Sequence, residues 1–574
     1  MITELYQREL HALREKAAEF ARKYPAYAPH LGGSSSDPDV ERILEGVAYL
    51  GAGIQERLDS GFPQLAQSLL NLVAPQFIEE VPATTLMAFS PKSILKEPLS
   101  VPAGTFIDAA EYRGVKCRFT TCHDLTVLPI AIKDINLETM GDRSGILKVH
   151  FAMQAGYSRR LDLSELTFLA ADEYLQASAL FFQLKTCTQS IHLVQGEQRR
   201  LLRSTRLASL GTDDRYSLLP RPTQALPTYQ RLTEYYINKY HYLSFRLDAS
   251  QNAELMTEGG DFTLEFHLSK LRGKTPRLSK DSLKLFTVPA INLFPHDSEP
   301  VLIDQREADV LLQPARNVDQ RYQVHSVRSV SGHNRQTASR SQYQPLSLLS
   351  RAGSGGGVFE LIRQVDSDSG YCTTRLSLSY PDDDQLPQRE TLTASLRCSN
   401  GALASELKQG DVSKGTQNTS ELVEFSNLIA PTGYVPPKTG DDLWSLLSHL
   451  TINYLPMANL ENLKGLLRLY LPQQGAGKHD ESANLKRLDS LQSLTVTPTE
   501  RLLRGSLIRG QHVELSVDGS GFAGLGDLFL FGEVLHRLLT DFTTLNAFVE
   551  LTIIDVNSAE ELVWKTRPGQ RSSI

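Results

Sequence analysis

The sequence predicts an α+β multidomain protein, with an N-terminal helical hairpin or bundle, a β-rich middle and a mixed α/β C-terminal domain. Three observations carry this expectation. Apolar residues recur at helical spacing from Tyr6 to Val73; short runs between Thr84 and Pro431 alternate apolar and polar; beyond Pro431 the two periods mix. The corresponding boundaries are residues 1–82 for the helical region, 83–345 for the β-rich middle, 346–430 for a second β-rich segment and 431–574 for the C-terminal domain. At 574 residues the chain far exceeds a single domain of ~150 residues, so several modules are expected.

The first helix follows from Tyr6, Leu10, Leu13, Ala17, Phe20 and Tyr24, whose steps of four and three place one apolar seam on a helix. Its other face carries Glu4, Arg8, Arg14, Lys16, Arg22 and Lys23, and Pro25 and Pro29 end it. After a loop from Gly32 to Ser36, Asp37 and Pro38 supply an N-cap and a first-turn proline, with Asp39 and Glu41 complementing the helix dipole. The second helix presents Val40, Ile43, Leu44, Val47, Leu50, Ile54 and Leu58 on one side and is expected to stop at Gly61 and Pro63. A third carries Leu65, Leu69, Leu70 and Val73 and ends at Pro75. Seams that meet each other are the favoured reading of any one stripe. Three short helices nevertheless give a thin core, which leaves apolar surface for another chain.

In the middle, Phe262–Leu268 and Arg375–Tyr380 alternate in the strand period, and Asp382, Asp383 and Asp384 read as a solvated turn. Segments Ser331–Gly357 and Ser399–Ser420, dense in Ser, Gly, Asn and Gln, read as long surface loops. Towards the C-terminus, Asp441 and Asp442 can cap a helix carrying Leu443, Leu446, Leu447, Leu450 and Tyr454, and Asn459 another carrying Leu463, Leu466, Leu467 and Tyr470. Pro472–Asn484 reads as a polar loop. A strand (His512–Val517), a glycine cluster, a helix (Leu528–Phe542) and a strand (Phe548–Val556) follow.

Composition narrows the function. Lys and Arg total 59 against 66 Asp and Glu, giving a formal charge of −7 with both signs interspersed. Nucleic acid is therefore not the expected partner, because phosphate binding needs a concentrated basic surface. The start, Met1-Ile2-Thr3-Glu4-Leu5, lacks the pattern of a secretory signal, and the most apolar stretch, Leu528–Leu539, is broken by Glu533, His536 and Arg537, so neither export nor a membrane span is expected. Five cysteines (Cys117, Cys122, Cys187, Cys372 and Cys398) suit reduced thiols in a cytoplasm.

The chemical motifs are thin. Gly519-Ser520-Gly521-Phe522-Ala523-Gly524 between a strand and a helix has the spacing of a dinucleotide fingerprint. Asp518 and Asp527 would set carboxylates beside the phosphates, and Asp555 lies beyond the ~20 residues at which a ribose-binding acid is expected. A strand-to-helix turn is the favoured reading. Gly273-Lys274-Thr275 lacks the leading glycine of a phosphate loop, replaced by Leu268. The 14 histidines show no helical metal pair, and nothing near Cys117 and Cys122 completes a tetrahedral set. No nucleophile, base and orienting group converge in the sequence, so no metal, cofactor, small-molecule substrate or catalytic residue is assigned and a scaffold role is expected.

A further set of blocks resembles one family in order along the chain. They are Tyr6 with Glu9-Leu10, Phe20-Ala21, Tyr24-Pro25, Asp37 to Gly46 and Leu58-Asp59; then Val101-Pro102-Ala103-Gly104-Thr105, Val288-Pro289 with Asn292-Leu293-Phe294, and Tyr322 to Val327; finally Leu447 to Tyr454 and Leu530 to Leu535. Together they resemble the TssF (ImpG/VasA) family of type VI secretion systems over essentially the whole chain. One departure is Gly401, where the resemblance would put an arginine. The resemblance implies a non-enzymatic baseplate wedge subunit in which two TssF copies pair with one TssG. TssK and TssE would join the wedge, wedges would surround the VgrG hub, and the whole would dock from the cytoplasm on the inner-membrane complex to support sheath polymerisation and contraction. The partner-facing residues expected from the helical seams are Tyr6, Leu10, Leu13, Phe20, Ile43, Val47 and Ile54.

Overall fold

The computed structural model describes residues 2–23, 38–154, 161–164, 166–203, 205–220, 227–249, 256–257, 260–303, 309–334, 339–346, 357–366, 371–380, 389–439, 441–451, 459–472, 478–503 and 506–569. It is α+β, with a sheet-rich middle and helices at both ends. Helix α1 (Ile2–Lys23) packs on α2 (Pro38–Val73). The expected break at Gly61 and Pro63 does not occur: α2 runs unbroken for 36 residues. An interior proline removes one amide bond and costs ~3 kcal/mol; here the turns beyond it are held by the burial of Ala66, Gln67 and Leu70. The expected loop at Gly32–Ser36 and the Asp37 cap lie outside the described residues.

The middle departs from pure β structure by two further helices, α3 (Tyr174–Cys187) and α4 (Pro227–Ile237). Helix α3 buries Ala177, Ser178, Leu180, Phe181, Phe182, Gln183, Leu184 and Cys187. A helix covered on nearly every side shows no amphipathic period, which is why the sequence hid it. Around it lie antiparallel sheets of six, five and four strands. Phe262–Leu268 is a central strand alternating buried and half-buried residues, as expected.

Buried residues from Ala83 to Ala290 and from Ala404 to Trp564 contribute to one large core, together with Ala66, Leu70 and Ile78 from the N-terminal region. A second core lies inside that span of sequence, running from Phe294 to Cys398 around an eight-stranded sheet. The chain thus leaves the first core just after Ile291 and returns just after Ser399. Asn292 and Asn400 tie these two crossings together: Asn400 N donates to Asn292 Oδ1 (2.7 Å), and Asn292 Nδ2 donates to Asn400 Oδ1 (2.8 Å). Gly401 follows at φ +54°, and a Cβ there would stand 2.3 Å from Gln323 Nε2. The position therefore takes glycine, and the arginine suggested by the resemblance does not fit.

The expected loop Ser331–Gly357 is partly strand. Gln323–His333 and Arg340–Pro345 pair as a hairpin inside the second sheet, with His333, Arg340 and Gln342 exposed; the remainder, at 335–338 and 347–356, lies outside the described residues, as do Asp382 to Asp384. Pro472–Asn484 likewise contains the start of a helix, α7 (Lys478–Asp489), which follows α5 (Asp441–Thr451) and α6 (Leu460–Leu469). Tyr454 lies outside the described residues. Asn459 caps α6 as expected, accepting from Glu461 N (3.0 Å). In the C-terminal sheet, Ser506–Val517 and Ala547–Asp555 are parallel neighbours joined across α8 (Leu525–Phe542).

Where the cores meet, polar groups are buried. Arg363 of the second sheet donates to the carbonyls of Ile78 (3.0 Å) and His325 (2.7 Å). Glu80 accepts from Ser399 Oγ (2.5 Å) and lies 2.9 Å from the Tyr434 hydroxyl, which is also 2.6 Å from Gln323 Oε1. One phenol proton cannot serve both acceptors, so a proton on Glu80, whose pKa burial raises, completes the set. Burial pushes the neighbouring Glu79 up to about 7 against the pull of Arg363 and Arg397, and His325 down to about 3.

Two outcomes follow from this junction. Arg363→Met removes the donor for two buried carbonyls and the cation nearest two buried acids, so it should destabilise the fold by roughly 3–5 kcal/mol; an unchanged denaturation midpoint would show the junction to be dispensable. Glu79 has a folded pKa of about 7 against 4.5, so native protein holds a proton that unfolded chain releases between those values, and stability is lost as pH rises through that window. Glu79→Gln abolishes this loss. Its stability relative to wild type should rise by ~3 kcal/mol between pH 4.5 and pH 8, whereas a pH-independent difference would place Glu79 in ordinary solvent.

Candidate interaction surfaces

The glycine cluster is a turn whose amides are already engaged. Asp555 Oδ1 accepts from Gly519 N (2.9 Å), Asp518 Oδ1 from Ser520 N (2.9 Å), and Asp527 Oδ2 from Ala523 N (3.0 Å). Three carboxylates thus stand where a pyrophosphate would seek donors. Asp527 is fully buried and also takes a two-pronged ion pair from Arg487 (2.9 Å and 3.1 Å) and a hydrogen bond from the Tyr174 hydroxyl (2.7 Å). Nearby glycines serve close packing. A Cβ on Gly526 would stand 2.3 Å from Ser178 O of α3, and one on Gly532 would stand 2.1 Å from the Trp564 ring. A cavity of about 450 Å³ opens beside the turn, lined by Arg272, Lys274, Asp555 and Glu560 among others. Arg272 is held there by Glu560 at 2.6 Å. Gly273, which resembled the end of a phosphate loop, instead lets the chain turn at φ +66° against Leu525.

Cys117 and Cys122, weighed as a ligand pair, are free thiols that burial pushes up to about 12 and higher still. No group of three or more His, Cys, Asp or Glu able to hold a metal occurs among the described residues. Also among the described residues, no helix is long and apolar enough to cross a membrane.

The N-terminal helices present a different kind of site. Of the seven residues expected to face a partner, Ile43 and Val47 are 65% and 49% exposed on α2. Tyr6 and Leu13 are half-buried and Leu10 is buried on α1, the helix that packs on α2. The side chains of Phe20 and Ile54 lie outside the described residues. Sequence reasoning missed Leu65, Leu69 and Leu72 as part of the same surface, because it divided α2 at Pro63. With the helix continuous, Ile43, Val47 and Leu50 share an azimuth with Leu65, Leu69 and Leu72, since the 22 positions from Ile43 to Leu65 nearly equal six turns of ~3.6 residues. All six are exposed. The buried residues Ala48, Ala52, Ala66 and Leu70 lie roughly on the opposite side. Helix α2 therefore turns alanines inward and isoleucine, valine and leucine outward, an inversion of the usual order for a surface helix.

Comparisons with known proteins identify the family. The family model described as "Type VI secretion system, TssF" matches residues 1–571. The chain is 26% identical to the type VI secretion system component TssF1 of Pseudomonas aeruginosa, over 100% of this chain and 99% of that protein. Its fold matches a chain of a solved TssK-TssF-TssG baseplate subcomplex with a TM-score of 0.77 and 26% identity, covering 93% of this chain and 99% of the other. A chain of a solved type VI baseplate complex has the same fold, with a TM-score of 0.64 and 23% identity over the full length of both. With the whole length accounted for, this chain belongs to the TssF family of the type VI secretion system.

Proposed function

We propose that this chain is a structural baseplate subunit that assembles with TssG and TssK and acts by covering and being covered, without catalysis. The observation that carries the reading is the outward apolar stripe on α2. From Ile43 to Leu72 it spans 29 positions, or ~44 Å at 1.5 Å per residue. Its six exposed residues are spaced for one partner helix laid along α2, the geometry of ridges packing into grooves. In this reading α1, α2 and the partner helix complete a bundle that α1 and α2 begin. Obligate interfaces bury ~2,000 Å² or more and resemble a divided core, which suits such a surface.

Support for the named partners comes from the solved subcomplex, whose similar chain sits with TssK and TssG. The wider frame carries over from the family resemblance as part of this proposal. It comprises a second copy of the chain beside one TssG, contact with TssE, wedges around a VgrG hub, and cytoplasmic docking on the inner-membrane complex. Interfaces built from helical seams have discrete packings rather than a continuum of them, which fits a device that changes shape in one step.

The test is co-expression with the TssG homologue of the same organism. The wild-type chain should elute as one complex, and Ile43→Asp with Leu50→Asp should separate the two. Both side chains are about two-thirds exposed, so the isolated variant should keep its circular dichroism and unfold within ~0.5 kcal/mol of wild type. An intact complex carrying both aspartates would remove the stripe from the interface, and a chain that ignores TssG altogether would refute the subunit reading.

A further inference from the structure

Helix α8 and the last strand, Glu561–Pro568, each carry an arginine that the fold surrounds without pairing. Arg537 Nε is buried with no hydrogen-bond partner. Among the described residues neither Arg537 nor Arg567 makes a side-chain hydrogen bond or an ion pair, although both are only partly exposed. Arg567 pairs across the strands with Val549, whose carbonyl faces His536, the neighbour of Arg537 on α8. Burial lowers the pKa of both arginines, Arg567 to about 10, with Arg231 of α4 lowering both further and Arg537 lowering Arg567. For guanidinium groups that ordinarily stay charged under all conditions, this direction reflects cations that have lost much of their water.

The acids nearby are engaged elsewhere. Arg231 pairs with Asp541 at 3.0 Å and with Asp214. Glu533, one turn before Arg537, accepts from Ser209 Oγ at 3.3 Å. His536 beside them is held neutral at pH 7, its pKa depressed by burial to about 4, and it faces the Val549 carbonyl. Of the charged groups facing the pair, Arg231 adds positive charge and Glu533, Asp541 and Asp214 add negative charge at a distance, without a direct bond to either guanidinium. The adjoining rim carries one exposed apolar side chain. Gly569 N donates to Ala547 O (2.9 Å), which brings the end of the strand against the loop 543–547, and Leu545 in that loop is 57% exposed.

We propose that Arg537 and Arg567 form a socket for one carboxylate, the acidic side chain of a neighbouring subunit, with Leu545 packing beside it. Two guanidinium forks can bind both oxygens of a carboxylate with charge-assisted hydrogen bonds, and the fold has already removed much of their water. A monoanion fits better than a phosphate dianion, because Glu533, Asp541 and Asp214 repel a second negative charge. The buried ion pair flanked by an exposed leucine is the arrangement of an interface anchor. The socket rests on the reading of the chain as an assembly subunit and adds a contact far in sequence from the α2 stripe.

The experiment uses the full chain co-expressed with the TssG and TssK homologues of its organism. Arg567→Gln and Arg537→Gln should each weaken assembly by about thirtyfold or more, the effect of removing one side of a buried charge pair. In the isolated chain Arg567→Gln should leave the melting temperature unchanged or raise it, since it removes a cation without a partner. Arg567→Lys keeps the charge and supplies an amine: carbodiimide treatment of the assembled complex should join it to an aspartate or glutamate of another subunit, identified by mass spectrometry. The socket is overturned if Arg567→Gln assembles as tightly as wild type, or if the lysine couples only to Glu533 or Asp541. It is also overturned if inorganic phosphate stabilises the isolated wild-type chain above chloride of equal ionic strength, Arg567→Gln abolishes that gain, and assembly is unaffected, for then the pair serves a small oxyanion. If the wild-type chain itself fails to assemble, the subunit reading falls first and the socket with it.

Discussion

Helix α2 is fixed by two amide side chains that read the edge of a strand. Gln67 Nε2 donates to Arg363 O (3.2 Å) and its Oε1 accepts from Arg363 N (3.4 Å), while Asn71 Nδ2 donates to Leu361 O (3.0 Å). Four residues of helix advance ~6.0 Å and two residues of strand advance ~6.6 Å, so residues four apart on α2 meet carbonyls two apart on the strand. The helix thereby substitutes for a neighbouring strand along an edge that the short strand at Gln344–Pro345 reaches only at Val358 and Phe359. An open edge invites pairing with another chain. Closing it with polar side chains directs association away from the sheet and towards the outer face of α2.

That fixation also explains how the second core stays in place. The chain enters and leaves it through two crossings bound to each other at Asn292 and Asn400, a narrow connection by itself. The α2 amides hold the far side, and Arg363 reaches from the same strand to Ile78 and His325. One strand, Val358–Val365, thus receives the helix with its backbone and bridges the cores with its arginine. Burying Glu79, Glu80, Arg363 and His325 contributes little net stability compared with an apolar joint. Its effect is on geometry, because each buried donor and acceptor is satisfied in one arrangement only.

Legibility in the sequence followed the physical visibility of each pattern. Phe262–Leu268 was readable because one face of its sheet is more buried than the other, and Asn459 because a cap is a local device. Helix α3 was invisible for the opposite reason, being buried all round. Pro63 misled because propensity weighs a single turn whereas a 36-residue helix is held by its packing on both sides of that turn. The end of the strand Gln323–His333, from Ser331, and the strand Arg340–Pro345 were mistaken for loop because a sheet with a solvated face tolerates polar residues such as His333, Arg340 and Gln342 on that face. No glycine- or serine-rich linker marks Phe294 as the entry to a second core, since strand Phe294–Asp297 begins three residues after strand Thr287–Ile291 ends. The glycine cluster was resolved by its flanking acids, which the structure turns onto the very amides in question.

The α2 stripe was readable as apolar, with Ile43 and Val47 expected to face a partner, but the side of the helix that is buried was not readable, and the reason lies in the small residues. Ala48, Ala52 and Ala66 give weak hydrophobic signals individually, so a periodicity reading finds the apolar side of Ile43, Val47 and Leu50 and passes over the alanine side that is buried. Alanine lets helices and sheets approach closely, and that close approach is what α1, α5 and the strand Val358–Val365 make against α2. The larger side chains are then left on the far side, where fully burying each would gain ~1.5–3 kcal/mol. Laid in a line along one helix that the strand Val358–Val365 braces, these side chains would recover that burial under the partner helix we propose for them.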